Sequence, residues 1–214
     1  MFKDHLLSRV SIPKHRLEAL ADGVFAIVVT LIVLEIKVPD LPRDASIDAL
    51  RHALRPLAPV FFSFFITFVI SASFWFLHQL SFHWIQRIDR ALVFINFGFL
   101  MFVSLLPFST GMFGHFMGTS IGQMFYFGNA TAIGVFLNLH WMYARRAGLL
   151  SDAPETATEQ HLFAQRIGMI TLAFFAAFAL SSIAPAAAGF VAMVVIVVQR
   201  IREKRVLKAS GAHA

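Results

Sequence analysis

The chain contains no cysteine among its 214 residues. This absence excludes disulfide bonds, iron–sulfur clusters and cysteine-based zinc sites. Charge is scarce as well, because Asp, Glu, Lys and Arg make up 14% of the residues, against about 25% in soluble globular domains. No charged residue occurs anywhere in the stretches 91–144 and 167–198. Together with a hydrophobic content of 58%, these two uncharged stretches exclude an ordinary soluble protein.

The uncharged stretches are too long to be single membrane crossings. A hydrocarbon core about 30 Å thick takes roughly 20 apolar residues per helix, and backbone polar groups cannot stay open in lipid. Each stretch is therefore predicted to form a helical hairpin, and two further apolar segments precede them. The fold class is all-α: a polytopic membrane protein with one domain, 1–214, and six spans near 16–37, 57–78, 90–113, 121–143, 162–183 and 186–203.

The distribution of basic residues predicts the orientation of these spans. An even number of crossings puts both termini on one side, and that side then holds 14 of the 18 Lys and Arg residues. The four on the other side are Lys37, Arg43, Arg51 and Arg55. Because cytoplasmic segments carry the excess of Lys and Arg, both termini are expected in the cytoplasm. The net charge of +6 then needs no nucleic-acid partner, because anionic lipid headgroups attract a basic tail.

Motifs of enzymes and metal sites are weak. We find no His-Glu-x-x-His pair and no phosphate loop, so no enzymatic activity, cofactor or metal site is expected. His78 and His83 lie close to Asp89, and we interpret these side chains as structural hydrogen-bonding groups. Asn96 lies inside the third span, where its amide is expected to bond a neighbouring helix.

The first predicted helix carries charge at both ends. Arg16, Glu18 and Asp22 lie at one end and Glu35 at the other, which leaves a short uncharged run between them. Such a helix prefers protein or water to lipid as its neighbour. Acids within membrane helices are functional candidates, and a structural salt-bridge lock at the interface is the other interpretation of Asp22. The residues leave both open, together with a secondary transporter that uses Asp22 as its acidic site.

One face of this helix is free of charge. Gly23, Ile27, Thr30 and Leu34 follow the spacing of a single helical face, with Leu31 at its edge. Ordinary helix packing would explain this stripe. If several copies surrounded an axis, Ile27 and Leu34 would instead form apolar rings with the Thr30 hydroxyl between them. Hydrophobic constrictions of that kind gate pores by excluding water.

The run from Arg16 to Asp22, continuing through Thr30 to Ile36, resembles the first-helix signature of one channel family. The signature is Arg, three residues, then Phe-Ser-Asp, and the family comprises the bacterial relatives of the endolysosomal potassium channel called transmembrane protein 175. Leu20 and Ala21 replace the Phe and Ser of the signature. Further similarities span the other predicted crossings and include Phe74, Trp75, His78, the pair Ile88-Asp89, Leu92, Asn96 and the stretch 105–110.

The resemblance implies a potassium-permeable cation channel of the bacterial plasma membrane. Four copies would form a homotetramer whose first helices line a central pore, with copies of the chain, the lipid bilayer and monovalent cations as partners. Ile27 and Leu34 match the pore constrictions, Thr30 the hydroxyl position, and Arg16 with Asp22 a network at the cytoplasmic end. No Thr-Val-Gly-Tyr-Gly filter is present, so modest selectivity for potassium over sodium is expected. The residues alone leave the number of subunits open.

Overall fold

The protein is a bundle of helices. The computed structural model describes residues 13–151, 157–185 and 187–190. Over these residues we name the α-helices α1 (Lys14–Leu31), α2 (Ile47–Leu54), α3 (Ala58–Trp84), α4 (Arg90–Ser104), α5 (Leu106–His115), α6 (Ser120–Arg146) and α7 (Ala157–Ser181). Short 3₁₀ segments follow α1 at Ile32–Glu35 and α2 at Arg55–Leu57. The prediction of an all-α fold is confirmed.

Four helical stretches in the described residues are long and apolar enough to cross a membrane. They are Lys14–Glu35, Ile47–Trp84, Arg90–His115 and Ala157–Ser181, and they coincide with the first, second, third and fifth predicted spans. Most of the sixth predicted span, 186–203, lies outside the described residues. A subunit with six crossings therefore stays a prediction.

Helix α6 occupies the place of the fourth predicted span, yet it is not among those four stretches. Its length of 27 residues is sufficient, but polar side chains lower its hydropathy. Asn129 donates a hydrogen bond of 3.1 Å to Ser109 Oγ on α5, and Asn138 donates one of 2.8 Å to Thr171 Oγ1 on α7. These polar groups therefore point at neighbouring helices, and α6 packs against α4, α5 and α7.

Two predicted spans are interrupted in the structure. The third is divided at Leu105 into α4 and α5, because Pro107 lies in the first turn of α5 and proline removes a helical N–H group and crowds the preceding turn. The first changes from α-helix to 3₁₀-helix after Leu31 and ends at Glu35, two residues before the predicted end at Lys37.

One end of the bundle gathers the segments that were predicted to be cytoplasmic. The connections after α3 and α6 pair with each other, since Gln86 N donates to Leu149 O at 2.9 Å and Ser151 N donates to Trp84 O at 2.9 Å. Leu17, in the first turn of α1, packs in a cluster with Phe82 and Val93 from the same end. The start of α1, the end of α3 and the start of α4 thus lie together, opposite the segment 36–57.

Candidate functional site

Helix α1 has one face that packs on the bundle. Every third or fourth residue along it is buried, and these residues contact α3, α4 and α5. Phe25, for example, has its ring centroid 6.0 Å from that of Phe99 on α4. The buried residues are Leu17, Ala21, Phe25, Val28 and Ile32. This face fixes the rotation of α1 about its own axis, and hence the direction in which its other residues point.

The residues predicted to line a pore all lie on the opposite, exposed face. The exposed fraction is 59% for Ile27, 41% for Leu31 and 58% for Leu34, and Thr30 is exposed as well. Gly23 is open too, because a Cβ atom built on it would meet no atom within 4 Å. The structure therefore brings the predicted pore residues onto one uncharged surface that nothing in the described chain covers.

The Thr30 hydroxyl is oriented by its own helix. It donates to the carbonyl oxygen of Ile27 at 2.7 Å, with the carbonyl of Ala26 at 3.2 Å. A hydroxyl group has one hydrogen and two acceptor lone pairs. Since the hydrogen is committed to the backbone, the oxygen remains an acceptor on the exposed face, which is the polarity that attracts a cation.

The 3₁₀ segment changes the spacing of the two predicted rings. Ile27 and Leu34 would be about 10.5 Å apart along a continuous α-helix. With α-helical rise to Leu31 and 3₁₀ rise beyond it, the separation becomes about 12 Å. Leu34 nevertheless stays exposed, so the stripe survives the change in winding.

Asp22 is held by helix α3. Its Oδ1 atom accepts a hydrogen bond of 2.8 Å from Trp75 Nε1 and a further, short one from Gln79 Nε2. Neither donor is predicted from the sequence, although their spacing of four residues puts them on one face of α3. Arg16 is exposed and is not brought to Asp22, since neither of the ion pairs found in the described residues involves it. A network that joins Arg16 to Asp22 stays a prediction.

A second polar contact lies beside the first. His78, which precedes Gln79 on α3, has its Nε2 atom 2.8 Å from Asn96 Oδ1 on α4, and both side chains are fully buried. The prediction that Asn96 bonds a neighbouring helix is confirmed. Asp89 has a structural role, because it accepts a hydrogen bond from Leu92 N at the start of α4 and another from Tyr143 on α6.

One sequence pattern belongs to a different class of site. Residues 118–122 read Gly-Thr-Ser-Ile-Gly, which matches the Gly-x-Ser-x-Gly sequence motif of the nucleophile elbow in hydrolases. That elbow joins a strand to a helix, whereas here the turn after α5 ends at Thr119 and Ser120 begins α6. Thr119 caps α6 through a hydrogen bond from Gly122 N to its side chain. The pattern is therefore a helix cap, not a catalytic turn.

Comparison with known proteins identifies relatives of this chain. Residues 16–107 match the family described as the endosomal/lysosomal potassium channel TMEM175. A potassium channel of Chamaesiphon minutus is 31% identical over 167 residues, covering 74% of this chain and 82% of the relative. The human endosomal/lysosomal proton channel TMEM175 is 38% identical over 100 residues, which are 44% of this chain and 20% of the human protein.

A solved structure is similar over most of the fold. The crystal structure of a lysosomal potassium-selective channel TMEM175 homolog from Chamaesiphon minutus superposes with a TM-score of 0.75 and 28% identity. The match covers 88% of this chain and 97% of the solved one. The family match includes α1 from Arg16 onward, with its exposed stripe and Asp22, and the similarity in fold covers most of the chain. The chain therefore belongs to the TMEM175 family.

Proposed function

We propose that this protein is a subunit of a potassium-permeable cation channel in which α1 lines the pore. The observation that carries the proposal is the exposed, uncharged face of α1 formed by Ile27, Thr30, Leu31 and Leu34. Its helix has charged residues at both ends and therefore suits a protein or water surface better than lipid. A closed ring of subunits would cover this face by turning it toward a shared axis.

The proposed assembly is a homotetramer of six-span subunits, in which only the first helices meet at the axis. In that arrangement Ile27 and Leu34 form two apolar rings, and the Thr30 oxygens lie between them. Each ring would oblige a cation to shed water, and no carbonyl filter is available to replace its hydration shell. Modest preference for potassium over sodium follows.

The membrane orientation belongs to the same proposal. The end of the bundle that holds Arg87, Arg145 and Arg146 faces the cytoplasm, and the segment 36–57 faces the outside. The membrane is proposed to be the bacterial plasma membrane, because similar potassium channels come from bacteria. Asp22, with its two donors on α3, then lies at the cytoplasmic end of the pore helix, where it holds α1 in place.

A secondary transporter that binds its substrate at Asp22 is the competing interpretation. Against it, one oxygen of the Asp22 carboxylate already accepts two hydrogen bonds from Trp75 and Gln79. A substrate site there would have to displace those donors. Channel activity requires no such change, because the exposed stripe is separate from the contacts of Asp22.

The test is a recording from purified protein in planar bilayers with potassium on one side and sodium on the other. We expect discrete current steps and a reversal potential displaced toward that of potassium. A further recording under a pH gradient separates proton current from potassium current. This separation is needed because the human relative is named a proton channel. Saturable exchange without current steps would support the transporter instead, and the absence of any transport would overturn both.

A further inference from the structure

The Glu35 side chain does not share the direction of its neighbour Leu34. Glu35 is the last residue of the 3₁₀ segment that follows α1, and its carboxyl group lies against Gly111 on α5. A Cβ atom built on Gly111 would be 2.9 Å from the carboxyl carbon of Glu35, and nearer still to Oε2. Gly111 is buried and does not have a positive φ angle. Glycine therefore matters at this position because it leaves room for the Glu35 carboxyl group, not because of its backbone conformation.

The 3₁₀ segment is thus held on its inner side at two places. Ile32 is completely buried, and Glu35 is partly buried against Gly111. Between them, Leu34 points outward with 58% of its surface exposed. In a segment of four residues, the seating of one end determines where the adjacent side chain lies.

No ion pair or side-chain hydrogen bond found in the described residues fixes Glu35 in this position. Among them, its carboxylate takes part in neither of the two ion pairs and in none of the side-chain hydrogen bonds that fix Asp22 at the other end of α1. Its seating against α5 therefore depends on the room that Gly111 leaves. The next glycine along α5, Gly114, instead approaches α3, because a Cβ atom there would lie 3.1 Å from Val60 Cα.

From these contacts we infer that Gly111 is a positioning residue for the outer apolar ring of the pore. By admitting the carboxyl group of Glu35, it fixes the end of the 3₁₀ segment and so the place of Leu34. This inference deepens the proposed function and depends on it for its effect on permeation. Its structural part, that Gly111 and Glu35 set the position of Leu34, does not depend on current.

The test uses the full chain and measures position and permeation separately. Because the chain has no cysteine, a Leu34→Cys change offers one attachment point for a trifluoromethyl label. Its fluorine chemical shift is recorded in detergent, alone and together with Gly111→Ala. We expect Gly111→Ala to move this signal, because the added methyl group displaces the Glu35 carboxyl. Adding Glu35→Ala should bring the signal to the place that Glu35→Ala gives alone, because without the carboxyl group the added methyl group displaces nothing.

Gly114→Ala is the matched control, since it adds the same methyl group to the same helix but toward α3. Its nearest atom would be Ser63 Oγ on α3, so it overpacks α5 away from Glu35 and should move the signal of the label less than Gly111→Ala does. Equal effects of the two glycine substitutions would mean that α5 merely packs closely, and would overturn the inference. So would an unchanged signal in a folded Gly111→Ala protein. If Gly111→Ala does not fold, Glu35→Ala alone tests the inference. It must also move the signal, because it removes the carboxyl group that fixes the end of the 3₁₀ segment.

Unlabelled Gly111→Ala protein, recorded in bilayers, should lose preference for potassium over sodium while Gly114→Ala retains it. A moved signal without changed selectivity would show that Leu34 is not a selectivity ring and would overturn the functional part. A moved signal with no current in any variant, the unmodified chain included, would overturn the proposed channel and leave the positioning of Leu34 by Gly111 intact.

Discussion

Trp75 Nε1 donates a hydrogen bond of 2.8 Å to Asp22 Oδ1 and so joins α3 to α1. Gln79, one turn further along α3, donates to the same oxygen. The indole and amide groups thus hold the carboxylate from one side, while the buried stripe that starts at Leu17 packs the rest of α1 on the bundle. Helix α1 is thus attached to the rest of its own chain by contacts within that chain.

The first prediction concerns this attachment. Trp75→Phe removes the N–H donor while keeping an aromatic ring, and should lower the free energy of unfolding by about 1 kcal/mol, the usual net value of a hydrogen bond. Asp22→Ala, which removes the acceptor of both Trp75 and Gln79, should cost about 2 kcal/mol, and the two losses should not add fully, because both changes remove the Trp75 contact. Denaturation of the four proteins of this cycle in detergent measures the coupling. Strict additivity would mean that the hydrogen bond contributes nothing.

The second prediction concerns the apolar ring that Ile27 would form in the proposed pore. Ile27→Ala should raise basal conductance and increase sodium current relative to potassium, because a wider apolar constriction holds water more readily and demands less dehydration. Ile27→Asn should do so more strongly. Single-channel recording with both ions measures the effect. Val69→Ala on α3 is a matched control, since Val69 is 62% exposed against 59% for Ile27. A larger effect from Val69 would assign the pore to a different helix.

The third prediction concerns orientation. Since the chain has no cysteine, single changes to cysteine give unambiguous labelling by a reagent that does not cross membranes. Asp44→Cys should react in intact cells, and Ala147→Cys only after the cells are opened, because these exposed residues lie in segments expected on opposite sides. Tags at residues 1 and 214 should both report the cytoplasm. Reaction of Ala147→Cys in intact cells would reverse the proposed orientation.

The fourth prediction concerns the contact between α6 and α7. A Cβ atom on Gly134 would lie 3.1 Å from Thr171 Cβ, so Gly134→Ala should destabilise the protein by about 1–3 kcal/mol, as other overpacked cores are. Adding Thr171→Ala should recover part of this loss. Gly168→Ala on α7 is the control, because its Cβ atom would lie 3.8 Å from Asn138 Oδ1 and has room. Melting temperatures in detergent compare the variants, and equal losses from both glycines would contradict the prediction.

The sequence predicts the helices well because lipid imposes a simple rule, that long apolar stretches become helices. The exposed face of α1 is likewise visible in the spacing of Ile27, Thr30 and Leu34. The change to 3₁₀ winding after Leu31 is not, since no proline or glycine marks it and packing of Ile32 and Glu35 decides it. The partners of Asp22 were equally hidden, because hydropathy says nothing about which of several polar residues on α3 faces α1.

Helix α6 has a consequence for how the protein enters the membrane. Its polar residues make it less suited to lipid than its neighbours are, so the segment alone is a poor substrate for insertion during synthesis. Those residues are hydrogen-bonded to Ser109 on α5, which is made before it, and to Thr171 on α7, which is made after it. In the six-crossing arrangement proposed here, α6 thus gains its full stability in the bilayer only once α7 has left the ribosome. The last crossings then assemble together, not one by one.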